Sequence, residues 1–147
     1  MKKEMPAPPT TLSALLRLAV KDARKVAKMK TRRLDMSVWH ELRGRICAVC
    51  MAGAVMDRTL AMDPREDCNP YSMPARWGYA LDGINKMRIG LFTRAAYQWG
   101  HGPFTREHIL ALGAAALLVN SNMSERLHRA PWRVYLKAAD ILERAGL

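Results

Sequence analysis

Three absences narrow what this chain of 147 residues can be. No apolar run reaches the roughly 20 residues that a helix needs to cross a bilayer. The first nine residues hold three prolines where a secretory leader would have an apolar core. The three cysteines cannot all pair within the chain. We therefore expect a protein of the reducing cytoplasm that inserts into no membrane and keeps its cysteines as thiols.

Acidic residues and catalytic signatures are also scarce. The chain has 13 Asp and Glu and 24 Lys and Arg, which gives a net charge of +11. This excess favours anionic partners such as nucleic acid, an anionic membrane surface or an acidic protein patch. The chain contains no GxxxxGK[ST], GxGxxG, HExxH or GxSxG motif, so nucleotide hydrolysis, dinucleotide binding, zinc proteolysis and serine hydrolysis have no motif support.

The most informative feature that is present is a basic, amphipathic stretch over residues 10–30. Apolar side chains recur there at i, i+3, i+4 and i+7, which predicts a helix with one face toward a core. The opposite face is almost purely cationic, with Asp22 as its lone acid. Residues 1–34 hold ten Lys and Arg against two acids, most of the net charge. The predicted partner-binding stripe consists of Arg17, Lys21, Arg24, Lys25 and Lys28, extended by Arg32 and Arg33.

The remaining pattern indicates a mainly α protein. We predict a mobile, Pro-rich lead over residues 1–9 and a single helical domain over residues 10–147 with about six helices. Helices are expected near 10–30, 50–61, 74–89, 91–99, 106–119 and 131–145. The apolar run over 109–119 is expected to be a buried core helix. Alternation on both sides of residues 41–44 predicts one small β-hairpin near 36–49, with its turn at 41–44.

Cysteine and histidine residues suggest two chemistries. His40, Cys47, Cys50 and Cys68 could form a Cys₃His zinc set, although the apolar run around the CxxC pair is unlike a zinc knuckle. Cys47 or Cys50 could instead be a nucleophile, with His40, His101 or His108 as its base. The simplest interpretation is that Cys47 and Cys50 are small buried side chains at i, i+3 of one helix face. We favour that interpretation, and predict no metal, no cofactor and no catalytic residue.

Two stretches carry a resemblance. Trp39-His40 with CAVCMAGAVMDRTL (residues 47–60), and WRVYLKAADILERAGL (residues 132–147), resemble small proteins encoded by tailed bacteriophages and prophages, a family without an assigned activity. The resemblance covers about a third of the chain. It implies a bacterial host cytoplasm during infection and supplies no catalytic residues.

Three functional hypotheses follow. The first is a non-enzymatic, phage-encoded binding protein that docks on an acidic host protein or a host nucleic-acid complex and modulates or inhibits it. The second is direct, non-specific nucleic-acid binding by the basic helix, since the stripe lacks the Asn, Gln and aromatic side chains that read or stack on bases. The third is a Cys/His-dependent or zinc-dependent enzyme. Homo-oligomerisation stays open.

Overall fold

A computed structural model describes residues 5–35, 38–65, 73–88, 104–121 and 132–147. These ranges contain five α-helices and three short strands, so the prediction of a mainly α fold is confirmed. The predicted short helix at 91–99 lies outside the described residues. In chain order the elements are α1 (Leu12–Ala27), β1 (Arg32–Leu34), β2 (His40–Arg43), β3 (Ile46–Val49), α2 (Met51–Arg58), α3 (Ala75–Arg88), α4 (Arg106–Ser121) and α5 (Trp132–Arg144).

The first helix forms where its periodicity predicts. The Thr11 hydroxyl accepts from the Ala14 amide at 3.2 Å, which satisfies one of the free N–H groups of the first turn. The helix ends at Ala27, three residues before the expected end. Its apolar face is fully buried: Leu12, Leu15, Leu16, Ala19, Ala23 and Val26.

The sheet differs from the predicted hairpin in two ways. Its order is β1-β3-β2, with β2 antiparallel and β1 parallel to β3. The turn placed at 41–44 was wrong, because β2 continues to Arg43 and the chain reverses at Gly44-Arg45. Gly44 has φ +64°, a conformation that glycine adopts without strain. Strand β1 gave no signal because its three residues include two arginines and are too short to show alternation.

Each of the five described helices packs against two others. Helix α1 packs against α2 and α5, helix α4 packs against α3 and α5, and α2 contacts α3. The sheet lies against α1 and α2, and the buried side chains form one continuous core. Within the described ranges, no helix combines the length and apolarity that crossing a membrane requires.

Helix α4 is less buried than its sequence predicted. Of its large apolar side chains, Ile109, Leu110 and Leu117 are 46%, 62% and 65% exposed. Its buried positions are Leu112, Ala115, Ala116 and Val119. The helix is apolar on every side, and only one side faces α3 and α5, so periodicity could not show which side would be covered.

Both ends of the described chain contact the helices. The Trp77 indole N–H donates to the Pro6 carbonyl at 2.6 Å, so this part of the Pro-rich segment lies against α3. The Ser13 amide donates to the Leu147 carbonyl at 3.1 Å, and the Leu147 side chain is buried. The last residue of the chain therefore meets the first turn of α1.

Candidate functional site

A basic groove lies between the outer faces of α1 and α5. Its volume is about 410 Å³, and it opens to solvent. The half-buried Leu136 and the buried Val20 form its apolar floor, where Leu136 supplies the accessible surface, and five cationic side chains surround them. These are Arg17, Lys21, Arg24, Lys25 and Lys28, the helical part of the predicted stripe. At 1.5 Å per residue they extend along about 16 Å of helix.

Four of these cations carry their charge to solvent. Lys21, Arg24, Lys25 and Lys28 are exposed, and none forms an ion pair with another described residue. The Arg24 guanidinium lies over the ring of Trp132, 5.7 Å from its centroid, in a cation–π contact. Successive spacings of three and four residues place like charges next to each other on the helix, which costs stability.

Arg17 has a different environment from the other four. Its guanidinium donates to Asp140 at 3.0 Å and to Glu143 at 2.7 Å, so it joins α1 to the end of α5. The hydrogen bond to Glu143 raises the pKa of Arg17 most, and the hydrogen bond to Asp140 raises it further. The groove therefore has a charge gradient, from a neutralised end at Arg17 to an unpaired basic end at Lys28.

The lone acid of the basic helix does not lie in the groove. Asp22 is buried and accepts a 2.5 Å hydrogen bond from the Thr59 hydroxyl, just after α2. Burial raises the pKa of Asp22, although the Thr59 bond and nearby Lys25 and Lys21 oppose that shift. Its charge is therefore directed toward the α1–α2 contact.

The two arginines that follow the helix lie apart from the groove. Alternation along β1 puts Arg32 and Arg33 on opposite faces of the strand. Arg33 is mostly exposed, with its guanidinium 4.0 Å from Asp35. Arg32 points inward and binds Asp57, so its charge is already paired.

Asp57 is the centre of a second site, a buried charge cluster. Arg32 Nε and His40 Nε2 both donate to Asp57 Oδ1, at 2.9 and 3.0 Å, and Arg58 Nε donates to Oδ2 at 2.8 Å. Burial alone would raise the pKa of this carboxyl, but the hydrogen bonds from His40 and Arg58 and the charge of Arg32 outweigh it and lower the pKa to about 2. Asp57 is therefore a carboxylate at neutral pH.

The cluster also brings together two of the predicted metal ligands. Cys47 Sγ, a ring nitrogen of His40 and an oxygen of Asp57 lie within 4.8 Å of one another, and all three residues are buried. His40 Nδ1 is buried and has no hydrogen-bond partner among the described residues. Donor types and spacing alone would be compatible with zinc.

The charges around the cluster oppose a metal ion there. Both oxygens of Asp57 are occupied by guanidinium and imidazole donors. Two unit charges 4 Å apart interact by about 4 kcal/mol at an effective dielectric of 20, so two neighbouring guanidinium groups would strongly repel a divalent cation. The arrangement fits a buried carboxylate held by cations better than a metal centre.

The same environment opposes a nucleophilic role for Cys47. Its side chain is fully buried, and burial followed by the charge of Asp57 raises the pKa of its thiol. A catalytic cysteine needs a lowered pKa and access to substrate. Cys47, His40 and Asp57 are thus adjacent without the properties of a catalytic triad.

Cys50 has a local structural role. It is the N-cap of α2, where its Sγ accepts from the Gly53 amide at 3.3 Å. Cys47 lies on β3, so the two cysteines are buried as predicted but do not share a helix face. Cys68 and His101 lie outside the described residues. His108 belongs to the first turn of α4, where its amide donates to the Thr105 hydroxyl at 3.2 Å.

Sequence reasoning missed Asp57 and Trp132 as site residues. Asp57 follows eleven residues without charge and precedes Arg58, and a lone acid at the end of such a run signals a buried, paired carboxylate. The contact of Trp132 with Arg24 joins positions 108 residues apart, and nothing local in the sequence indicates it.

Comparison with family models, with curated proteins and with solved structures gives no match to this chain.

Proposed function

We propose that this protein is a non-enzymatic binding protein whose α1–α5 groove docks an acidic segment of another protein. The observation that carries the proposal is the combination of four exposed, unpaired cations with an apolar floor. Carboxylates of a partner would pair with Lys21, Lys25 and Lys28, while an apolar partner side chain would cover Leu136. Docking of this kind would modulate the partner by occupying its acidic surface.

The apolar floor favours a protein segment over a nucleic acid. A phosphate backbone would use the cations and leave Leu136 uncovered. Base stacking needs an accessible aromatic face, and the ring of Trp132 is half-buried and already covered by Arg24. The origin in a phage and the bacterial host stay predictions that rest on the resemblance alone.

Charge would set the rate of encounter more than the final affinity. Exposed ion pairs contribute about 0.2–1 kcal/mol each and are screened by salt. Complementary charge instead raises the association rate and orients the partner before contact. We expect the apolar contact at Leu136 to slow dissociation.

The test compares two triple variants with the same change in charge. Lys21→Glu/Lys25→Glu/Lys28→Glu removes the basic end of the groove. Arg45→Glu/Arg76→Glu/Arg106→Glu reverses three exposed cations elsewhere. Capture from nuclease-treated bacterial lysate, with cross-linking and mass spectrometry, identifies the segment that lies in the groove.

The proposal expects the groove variant to lose about tenfold or more in affinity for the captured acidic segment, and the control about twofold or less. Equal losses would mean that net charge matters and the groove does not. Binding that disappears with nuclease, together with tight binding of generic duplex at low salt, would replace the proposal with direct nucleic-acid binding.

A further inference from the structure

The outer face of α4 presents apolar side chains that no described element covers. Leu110 and Leu117 are 62% and 65% exposed, and Gly113 and Ala114 between them are also exposed. A methyl group added to Gly113 would meet no atom within 4 Å. These residues lie at i, i+3, i+4 and i+7, so they form one stripe along the helix.

The stripe is symmetric about its own midpoint. Leu110 and Leu117 lie at equal distances from the point between Gly113 and Ala114, and Ile109 and Leu118 are related in the same way. A two-fold axis through this point would place a second copy of α4 antiparallel to the first. Leu110 would then meet the partner's Leu117, and the two small residues would face each other at the crossing. Such self-complementarity is what a two-fold symmetric interface requires.

The lack of charged residues on this stripe also favours a second copy of the chain as the partner that covers it. From Ile109 to Ser121 the helix has no charged residue, although the chain carries a net charge of +11. Two copies that met through their basic surfaces would repel each other, whereas contact through this neutral stripe brings no like charges together. An acidic partner would have nothing to pair with here.

We propose that α4 is the interface of a homodimer in which the two α4 helices run antiparallel and cross at Gly113-Ala114. Small residues at the crossing let two helices approach closely, and the leucines on both sides fill the space beside them. The groove shares no residue with this stripe, so the dimer would present two binding grooves. The inference does not depend on the function proposed for them.

The first experiment measures mass against concentration by analytical ultracentrifugation, from about 1 to 200 µM protein in about 0.15 M salt. We expect a reversible change from 16.6 kDa to twice that mass. Leu110→Glu/Leu117→Glu should raise the dissociation constant about 100-fold or more, since central apolar residues dominate interfaces. The matched control, Leu42→Glu/Tyr79→Glu, replaces exposed apolar residues elsewhere and should leave the constant unchanged.

The second experiment tests the antiparallel register by disulfide formation in a Cys68→Ser background. Leu110→Cys mixed with Leu117→Cys should give a disulfide-linked dimer, and Ala114→Cys should link to itself. Leu110→Cys alone should not, because the two copies would be about 10 Å apart along the axis, beyond disulfide range. A chain that stays monomeric at 200 µM, an unchanged constant in the Leu110→Glu/Leu117→Glu variant, or self-linking of Leu110→Cys would each overturn the inference.

Discussion

The environment of Asp57 determines how much its carboxylate contributes to the stability of the fold. Asp57 and Asp63 both have a pKa lowered to about 2, Asp57 by His40 together with Arg58 and Arg32, and Asp63 by Arg65. Asp57 is buried and holds three donors, whereas Asp63 pairs with Arg65 at the surface. Removing a buried partner leaves uncompensated charges behind, while an exposed pair contributes little. The same shift in pKa therefore describes two different contributions to folding.

We expect Asp57→Ala to lower the free energy of unfolding by about 3–5 kcal/mol, because Arg32, Arg58 and His40 lose their common acceptor. Asp63→Ala is the matched control and should leave stability almost unchanged. Urea unfolding followed by circular dichroism measures both. Similar losses in the two variants would show that the buried cluster does not stabilise the fold.

The pKa of Asp57 also predicts a pH dependence. Folding lowers this pKa from its ordinary value of 3.8 to about 2. The ionised carboxylate therefore stabilises the folded protein fully at a pH above 3.8, and this stabilisation is lost as the pH falls through 2. The contribution corresponds to about 2 kcal/mol at neutral pH. Wild type should lose stability between pH 4 and pH 2, and Asp57→Asn should lose less. Parallel pH profiles for the two proteins would contradict the assignment.

Thiol reactivity tests the environment of Cys47. In a Cys68→Ser background, the buried thiols of Cys47 and Cys50 should react with a disulfide reagent about 100-fold more slowly than free cysteine at neutral pH, and fully after unfolding. The reagent's absorbance gives both rates. A thiol in the folded protein that reacted as fast as free cysteine would revive the Cys/His enzyme hypothesis.

At the scale of elements, α2 is fixed by a glycine that faces a backbone carbonyl. A Cβ at Gly53 would lie 1.5 Å from the Trp39 carbonyl oxygen, which belongs to the segment leading into β2. The absence of a side chain at Gly53 lets the start of α2 approach this segment, and Cys50 caps the same turn. The position of α2 in turn brings Asp57 to His40 on β2 and Arg32 on β1.

Two glycine substitutions should therefore have opposite effects. Gly53→Ala should cost about 3 kcal/mol or more, because the added methyl group meets backbone. Gly113→Ala, inside α4 with open space around it, should add about 0.5–1 kcal/mol through helix propensity. Urea unfolding at a concentration where the chain is monomeric measures both. A mild effect at Gly53 would mean that α2 does not lie against Trp39 as described.

Across the whole molecule, the like charges that line the basic groove lower the stability of the free protein. Lys21 has Arg17, Arg24 and Lys25 as helical neighbours, so its charge is repelled in the free protein. Salt screens repulsion between exposed charges, so added salt should stabilise the groove more than other parts of the surface.

Lys21→Glu should raise the melting temperature by about 2–5 °C at low salt, and the gain should shrink as salt is added. Arg45→Glu makes the same change of charge in the hairpin turn and should have a smaller effect. Thermal melts at two salt concentrations check this. A gain that does not depend on salt would point to a cause other than charge repulsion.

Periodicity along the chain is enough to predict most of the described helices and, where a helix is amphipathic, the face that it buries. The core positions of α1 and α5 follow from 3.6-residue periodicity, since a helix with one apolar stripe can bury that stripe in only one way. The same periodicity put the cations of residues 17–28 on one face. It did not show that one side of α4 stays exposed, because every side of that helix is apolar, and it gave no signal for a three-residue strand.

Which of these residues contact one another depends on how the helices and strands pack. Packing of α5 on α1 turned a basic stripe into a groove with an apolar floor, and paired Arg17 with Asp140 and Glu143. The parallel pairing of β1 with β3 took Arg32 out of that stripe and directed it to Asp57. Charges act through space over a few ångströms, whereas sequence patterns report only neighbours within a helical turn or a strand. The cations of this protein could therefore be counted from its sequence, but their partners depended on the fold.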